Sequence, residues 1–184
     1  MVRLDVIITR GGDGGETSLG NGERVRKDAP RIEAIGAVDE ANAAVGLLRV
    51  HTEGEEDALL ARVQNGLFDL GADLCVPGEG GERLRMTAAH VSALDATTAA
   101  LNETLLPLTS FVLPGGTPAA AAAHLARTVA RRAERAVVRL AADEPVNPEA
   151  LRYLNRLSDL FFVLSRRLNG NGAGDVLWRP GSGA

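Results

Sequence analysis

A chain of 184 residues has room for one domain with a substantial core, and its net charge of −4 excludes the basic field of a non-specific nucleic-acid binder. Aromatic residues make up 3% of it, too few for a base-stacking platform, and the single cysteine, Cys75, excludes an intramolecular disulfide and a cysteine-built zinc site. No apolar run reaches membrane-spanning length, and the N-terminal Met-Val-Arg-Leu-Asp-Val has neither a signal-peptide core nor an Arg/Ser-rich leader, so a soluble cytoplasmic protein is expected.

Residues 4–8 read as a short strand or an extended arm leading into a glycine-rich loop, Thr-Arg-Gly-Gly-Asp-Gly-Gly-Glu-Thr-Ser at 9–18. Loop sequence continues through Gly20-Asn21-Gly22 to Asp28-Ala29-Pro30, where the proline opens a helix. Periodicity and punctuation predict five helices, the first over residues 31–50 and the second over 55–75. A Pro/Gly-rich loop at 76–85 precedes a third helix over 87–106. Thr117-Pro118 supplies an N-cap and first-turn proline for the fourth, which ends near Asp143. Asn147-Pro148 repeats that signal for the fifth, which stops at Asn169-Gly170. The Gly-rich tail, 171–184, is expected to be loosely ordered, with Trp178 its one candidate for docking. Helices of this length with short connections predict an all-α fold, a five-helix antiparallel bundle of ferritin-like type. The expected organisation is a single domain with an N-terminal arm and loop (1–30), a bundle (31–170) and a tail (171–184).

Three constellations carry chemistry. The densest is Arg-Thr-Val-Ala-Arg-Arg-Ala-Glu-Arg at 127–135. At about 100° per residue Arg127, Arg131 and Glu134 share one helix face, and Leu125, Val129, Ala136 and Leu140 lie opposite. Arg127 and Arg131 stand at i,i+4 and repel unless an anion lies between them. The run is either a solvated basic face or a site for a polyanion whose oxygens match guanidinium forks. The glycine loop is either a surface loop or an anion nest of inward N–H groups, with Thr17 and Ser18 as hydroxyl donors and Arg10 and Lys27 as cations. It lacks the Gly-Lys-Ser/Thr ending of a Walker A loop.

Asp39 shares a helix face with Ile35, Asn42 and Gly46, where a carboxylate is expected to be partly desolvated and to want a cation. Arg127 is the candidate partner, within the chain or across a subunit boundary; the alternative is a partly exposed Asp favoured by the helix dipole. Asn155 lies off the apolar stripe of Leu151, Leu154, Leu157, Phe161, Leu164 and Leu168, on a face with Asp159, Phe162 and Arg166. Its amide could read a purine or ribose edge, or make an inter-helix hydrogen bond. None of His51, His90 and His124 has a Glu three residues before it, so no di-iron signature is present.

Four blocks recur in one order and spacing: Thr-Arg-Gly-Gly-Asp-Gly-Gly-Glu-Thr-Ser-Leu at 9–19; Arg-Ile-Glu at 31–33 with Gly-Ala-Val-Asp-Glu at 36–40; Phe-Val-Leu-Pro-Gly-Gly at 111–116 with the arginine run; and Tyr-Leu-Asn-Arg-Leu-Ser-Asp at 153–159. Together they resemble the ATP:corrinoid adenosyltransferases of the propanediol-utilisation type, from about Ile8 to Trp178. The resemblance implies transfer of the 5′-deoxyadenosyl group of ATP to cob(I)alamin, by in-line attack of Co(I) on C5′ with triphosphate leaving. It assigns the triphosphate loop to Thr9, Arg10, Gly11, Gly12, Thr17, Ser18 and Lys27, and further nucleotide contacts to Arg131, Arg132, Glu134, Arg135 and Asn155. Phe111 matches the aromatic that displaces the lower axial ligand of the corrin, and Phe111, Arg131 and Glu134 form the implied catalytic set. The resemblance also implies a homotrimer with ATP between subunits and an Asp39–Arg127 ion pair joining them. Mg²⁺ would be held mainly by the phosphates, with Glu134 nearby and no dedicated metal site. A reductase and an adenosylcobalamin-dependent enzyme are the further expected partners; no nucleic acid or membrane is. Gly11 and Gly14 depart from the family loop, which has Thr and often Lys there, and Ala130 stands where Cys is common. The competing reading is a trimeric ATP sensor, or a carrier of adenosylcobalamin, with little catalysis.

Overall fold

The computed structural model describes residue 5 and residues 7–78 and 83–183. The arm read over residues 4–8 lies partly outside the described residues, as does the centre of the 76–85 loop.

Two short strands, β1 (Glu16–Ser18) and β2 (Arg24–Arg26), form an antiparallel hairpin with Thr17 opposite Val25. They occupy what the sequence presents as continuous loop. Asn21-Gly22 makes the turn, with Gly22 at φ 88° and its N–H donating to Leu19 O at 2.9 Å. A positive φ there is the glycine's reason for being present. Leu19 is buried, and Gly20 N–H donates to Cys75 O at 2.8 Å, which fastens the hairpin to the end of the second helix.

The five helices are α1 (Pro30–Arg49), α2 (Gly54–Leu74), α3 (Ala88–Asn102), α4 (Pro118–Asp143) and α5 (Pro148–Arg167). Pro opens α1, α4 and α5, and the Thr117 and Asn147 side chains accept from Ala120 N and Glu149 N as N-caps. Helix directions follow from three contacts. Arg31, at the start of α1, donates to Leu74 O at the end of α2 and to Glu144 just after α4. Asn169, just after α5, accepts from Thr117 N at the start of α4. Thus α1 runs antiparallel to both α2 and α4, and α4 antiparallel to α5; α3 lies along α5.

The core is continuous through all five helices. α4 is central, and its buried positions are alanine (119, 120, 122, 123, 126, 130 and 133) except for His124, Val129, Val137 and Leu140. Small side chains let α1 and α5 approach α4 closely, while Leu154, Leu157, Phe161 and Leu164 of α5 fill the volume between helices. The buried arc of α4 is shifted from the expected one: Val129 and Leu140 are buried, but Leu125 is 48% exposed. Being sandwiched between α1 and α5, α4 centres its arc on Ala126 and Ala130, and Leu125 falls at the edge.

Two further expectations are corrected. The third helix ends at Asn102 rather than 106, because the segment runs into Pro107, which disfavours helix in the residue before it. The tail is docked. Leu113 N–H donates to Val176 O at 2.7 Å, Val112 bridges Leu177, and Trp178 N–H donates to Phe111 O at 2.8 Å. Among the described residues, no helix is long and apolar enough to cross a membrane.

Candidate functional site

The N-terminal loop is held by its own backbone. Asp13 N–H donates to Arg10 O, Gly15 N–H to Gly12 O, and Lys27 N–H to Gly15 O. Arg10 adopts φ 58°, a left-handed conformation uncommon outside glycine, and turns the chain into Gly11 and Gly12. A Cβ on Gly12 would lie 2.8 Å from Lys27 Nζ, so glycine there makes room for the ammonium to sit over the loop. Arg24, a residue absent from the sequence-derived set, pins the loop by donating to Gly11 O at 2.8 Å and Ser18 Oγ at 3.2 Å. Arg26 is committed to Asp28 through two hydrogen bonds, which hold the Asp28 carboxyl below its ordinary pKa. The cationic candidates at this end are therefore Arg10, on the loop, and Lys27, which lines a cleft of about 490 Å³ with Gly14, Gly15, Arg26 and the carboxylate-bearing Glu16 and Asp28. Thr9, Arg10, Gly11, Ser18 and Lys27 are exposed, and Gly12 and Thr17 half-buried. Gly11 and Gly14, where side chains are missing relative to the resembled family, have space: a Cβ at Gly14 meets nothing within 4 Å, and at Gly11 only Thr9 Oγ1 at 3.8 Å.

On α4, Arg131, Arg132 and Arg135 are exposed. Arg132 is paired with Glu40 of α1, an exposed ion pair of small energetic weight. Arg131 and Arg135 make no ion pair among the described residues. Glu134 is half-buried and accepts from Asn155 Nδ2 of α5 at 3.0 Å, and Asn155 Oδ1 in turn accepts from Arg156 at 2.7 Å. Of the two Asn155 readings, the structure shows the inter-helix bond, and that bond holds Glu134 on the arginine face. No hydrogen bond or ion pair joins the 9–28 loop to Arg127, Arg131, Arg132 or Arg135 among the described residues.

Arg127 and Asp39 are not paired within the chain. Asp39 is exposed rather than partly desolvated, because the buried positions of α1 are Arg31, Ala34, Val38, Ala41, Asn42, Val45 and Leu48, and Asp39 lies off that arc. Arg127 is half-buried, and its Nε is buried without a hydrogen-bond partner among the described residues. Burial first, and then Arg131, push its pKa below the ordinary arginine value, so the cation is in want of an anion.

One turn before Arg131, Arg127 also lines a cavity of about 580 Å³ with Leu108, Phe111, Val112 and Phe162. Phe111 is 75% exposed and meets Trp178 edge-to-face, centroids 6.1 Å apart. Behind Phe162, with ring centroids 6.4 Å apart, His124 is buried with neither nitrogen hydrogen-bonded among the described residues. Burial, and then Arg127, lower its pKa against a smaller opposing pull from Asp175. Phe162 is visible in the sequence only as a neighbour of Asn155 on a helix face, and His124 only as a histidine without a metal pattern. Trp178 is a docking candidate there and Arg166 a neighbour of Asn155 on its helix face, but nothing local signals the Arg166–Asp175 pair. Among the described residues no three of His, Cys, Asp and Glu converge as a metal-ligand set. Glu134 is the only carboxylate of the 127–135 segment, and one carboxylate suits a Mg²⁺ ion carried mainly by phosphate oxygens.

The family model for cobalamin adenosyltransferase matches residues 7–168. A cobalamin adenosyltransferase of Cupriavidus metallidurans is 51% identical over 180 residues, covering 96% of each chain. A corrinoid adenosyltransferase of Bacillus subtilis is 42% identical over 92% of this chain and 90% of its own. Among solved structures, a variant of a PduO-type ATP:corrinoid adenosyltransferase from Lactobacillus reuteri, complexed with cobalamin and ATP, superimposes with a TM-score of 0.87. It is 33% identical and covers 95% of this chain and 99% of its own.

Proposed function

The chain belongs to the cobalamin adenosyltransferase family, and from that membership we infer that it transfers the 5′-deoxyadenosyl group of ATP to cob(I)alamin, releasing triphosphate. The observation that carries this reading is the layout of α4. Within one turn it passes from the Arg127–Phe111–Phe162 cavity, shaped for a bulky apolar ring, to the exposed Arg131 beside Glu134 and Asn155, suited to a polyanion.

The chemistry is a displacement at carbon. The Co(I) electron pair forms the cobalt–carbon bond to C5′ as the C5′–O bond breaks, and that bond's electrons leave on the triphosphate. Cobalt is oxidised by two electrons, and no proton needs to move. A catalytic dyad is therefore unnecessary, and the protein's work is positioning C5′ over cobalt and stabilising charge on the leaving triphosphate. Arg131 and Arg135, Lys27, Arg10 and the loop N–H groups supply that charge stabilisation, while Thr9, Thr17 and Ser18 donate hydroxyls. Arg132 joins them by exchanging Glu40 for phosphate. Mg²⁺ would neutralise phosphate charge when bound, with Glu134, fixed by Asn155, as the carboxylate available to it. Phe111 occupies the space of the lower axial base and excludes water from that face.

The loop and the arginines of one chain share no hydrogen bond or ion pair among the described residues, and the nucleotide site is completed between copies of a homotrimer. Asp39 of one copy meets Arg127 of the next, supplying the anion that the buried Nε lacks within the chain. The enzyme works in the cytoplasm, where a reductase supplies the electron that converts cob(II)alamin to cob(I)alamin and an adenosylcobalamin-dependent enzyme takes the product. Mixing the protein anaerobically with ATP, Mg²⁺ and chemically reduced cob(I)alamin tests the activity. Conversion of the cob(I)alamin spectrum to that of adenosylcobalamin is expected; ATP binding without that conversion would leave a sensor or carrier.

A further inference from the structure

The tail ends in contact with the segment that carries Phe111, and one buried ion pair sits at the root of that contact. Arg166 and Asp175 are 5% and 3% exposed, with Arg166 Nε 2.7 Å from Asp175 Oδ2. Both charges are otherwise satisfied. Arg166 also donates to Leu106 O at 2.6 Å, and Asp175 Oδ1 accepts from Asn169 Nδ2 at 3.4 Å. Asn169, itself 3% exposed, accepts from Thr117 N and donates to Gly115 O. Burying a charge pair is expensive and retains no advantage over apolar packing unless it fixes an arrangement.

What it fixes is the 103–117 connection between α3 and α4. The start of that connection is held at Leu106 by Arg166 and by Asn171 O, and its end at Gly115 and Thr117 by Asn169. Immediately after Asp175, residues 176–178 pair with 111–113, Ser110 Oγ donates to Trp178 O at 2.9 Å, and the Trp178 ring meets Phe111. Phe111 itself is largely exposed, so it has little packing of its own to hold its direction. Gly172, at φ 92°, is glycine for the same purpose: a Cβ there would lie 2.6 Å from an Arg166 guanidinium nitrogen.

We propose that the Arg166–Asp175 pair is a positioning latch that fastens the tail against the Phe111 segment and thereby sets the wall of the corrinoid cavity, without acting on the nucleotide. This rests on the reading of that cavity as the corrinoid site. None of the latch contacts reaches the 9–28 loop, Arg131 or the Glu134–Asn155 pair among the described residues, so corrinoid and nucleotide parameters should separate.

The test is Asp175→Asn in the full chain, which keeps the shape of the side chain and removes its charge. Trp178 is the only tryptophan, so its fluorescence reports the tail alone. The latch predicts a red-shifted, more readily quenched Trp178 with the helical circular dichroism unchanged. It also predicts turnover from bound cob(II)alamin lowered about tenfold while KM for ATP stays within about twofold, and recovery of both signals in Asp175→Glu. Unchanged quenching, or a parallel loss of corrinoid and ATP parameters, would overturn it. Should Asp175→Asn lose the bundle itself, Ser110→Ala reads the same linkage from the half-buried hydroxyl that bonds Trp178 O. It should raise Trp178 quenching and KM for the corrinoid by about threefold, and no change in either contradicts the latch. The quenching measurement needs no corrinoid, so a wild-type protein that fails to make adenosylcobalamin would remove the proposed activity while still deciding whether the pair holds the tail.

Discussion

The two halves of α4 meet regions built on opposite plans. Before and around Arg127, the aromatic cavity is walled by a segment tied at Leu106, Ser110, Leu113 and Thr117 to a tail that is itself locked by a buried ion pair. After it, Arg131 and Arg135 stand exposed, as does most of the glycine loop that shares their chemistry. Physical chemistry accounts for the difference. A bulky ring without charge on its faces is recognised by shape, which requires walls in place beforehand. A triphosphate is recognised by charge, and exposed guanidinium groups stay hydrated at little energetic penalty until the anion arrives.

That contrast can be broken most severely at Arg131. Arg131→Ala should lower kcat/KM for ATP by about 10²–10³-fold, the scale for losing one charge-stabilising donor, and leave KM for cob(I)alamin nearly unchanged. Steady-state kinetics with each substrate varied checks it, and equal losses in both would erase the distinction between the regions. Arg127 belongs to both, so Arg127→Ala should weaken association of the copies by about 2 kcal/mol or more and lower activity with it. Sedimentation velocity across a dilution series measures the first effect; unchanged assembly and kinetics would remove the Asp39–Arg127 pair from the account.

Phe111→Ala should cut turnover from enzyme-bound cob(II)alamin about tenfold while ATP affinity, read by titration calorimetry, stays nearly intact. Behind the cavity, His124 carries a pH dependence. The folded pKa of His124 lies below its ordinary value of 6.5, so the unfolded chain binds the proton more readily. Its contribution to stability is full above pH 6.5 and is lost as the pH falls below it, with a slope of at most one proton. Denaturant midpoints between pH 7.5 and pH 5, roughly the window the linkage spans, should decline in the wild type and decline less in His124→Phe. The smallest effect is expected at Gly14→Lys. The position has open space and faces the cleft beside Lys27, so the added cation should lower KM for ATP about two- to fivefold, as for a surface charge. A corrinoid effect from that change would blur the two regions.

Much of the fold was legible because its signals are local. Thr117-Pro118 and Asn147-Pro148 place the starts of α4 and α5, and the 3.6-residue periodicity of the α5 leucines marks its buried face. The hairpin was not, since strands of three residues with only Thr17 and Val25 turned inward carry too little alternation to register. The loop, arginine run and Asn155 were found by composition, but their geometry was not. Asp39 reads as desolvated from its helical neighbours, yet the arc buried by α2 and α4 passes beside it. The docked tail was legible only at Trp178. Its order comes from Asp175 meeting Arg166 in a buried site and from backbone pairing across more than sixty positions, from Leu113 to Val176, and neither leaves a mark in local sequence.

The most direct test of adenosyl transfer follows the carbon itself. In a single turnover with ATP carrying ¹³C at C5′ and chemically reduced cob(I)alamin, the account predicts that the label appears as a cobalt-bound carbon and that one intact triphosphate is released per adenosylcobalamin formed. Label remaining in ATP or ADP, or release of pyrophosphate and phosphate in place of triphosphate before any cobalt–carbon signal, would contradict it.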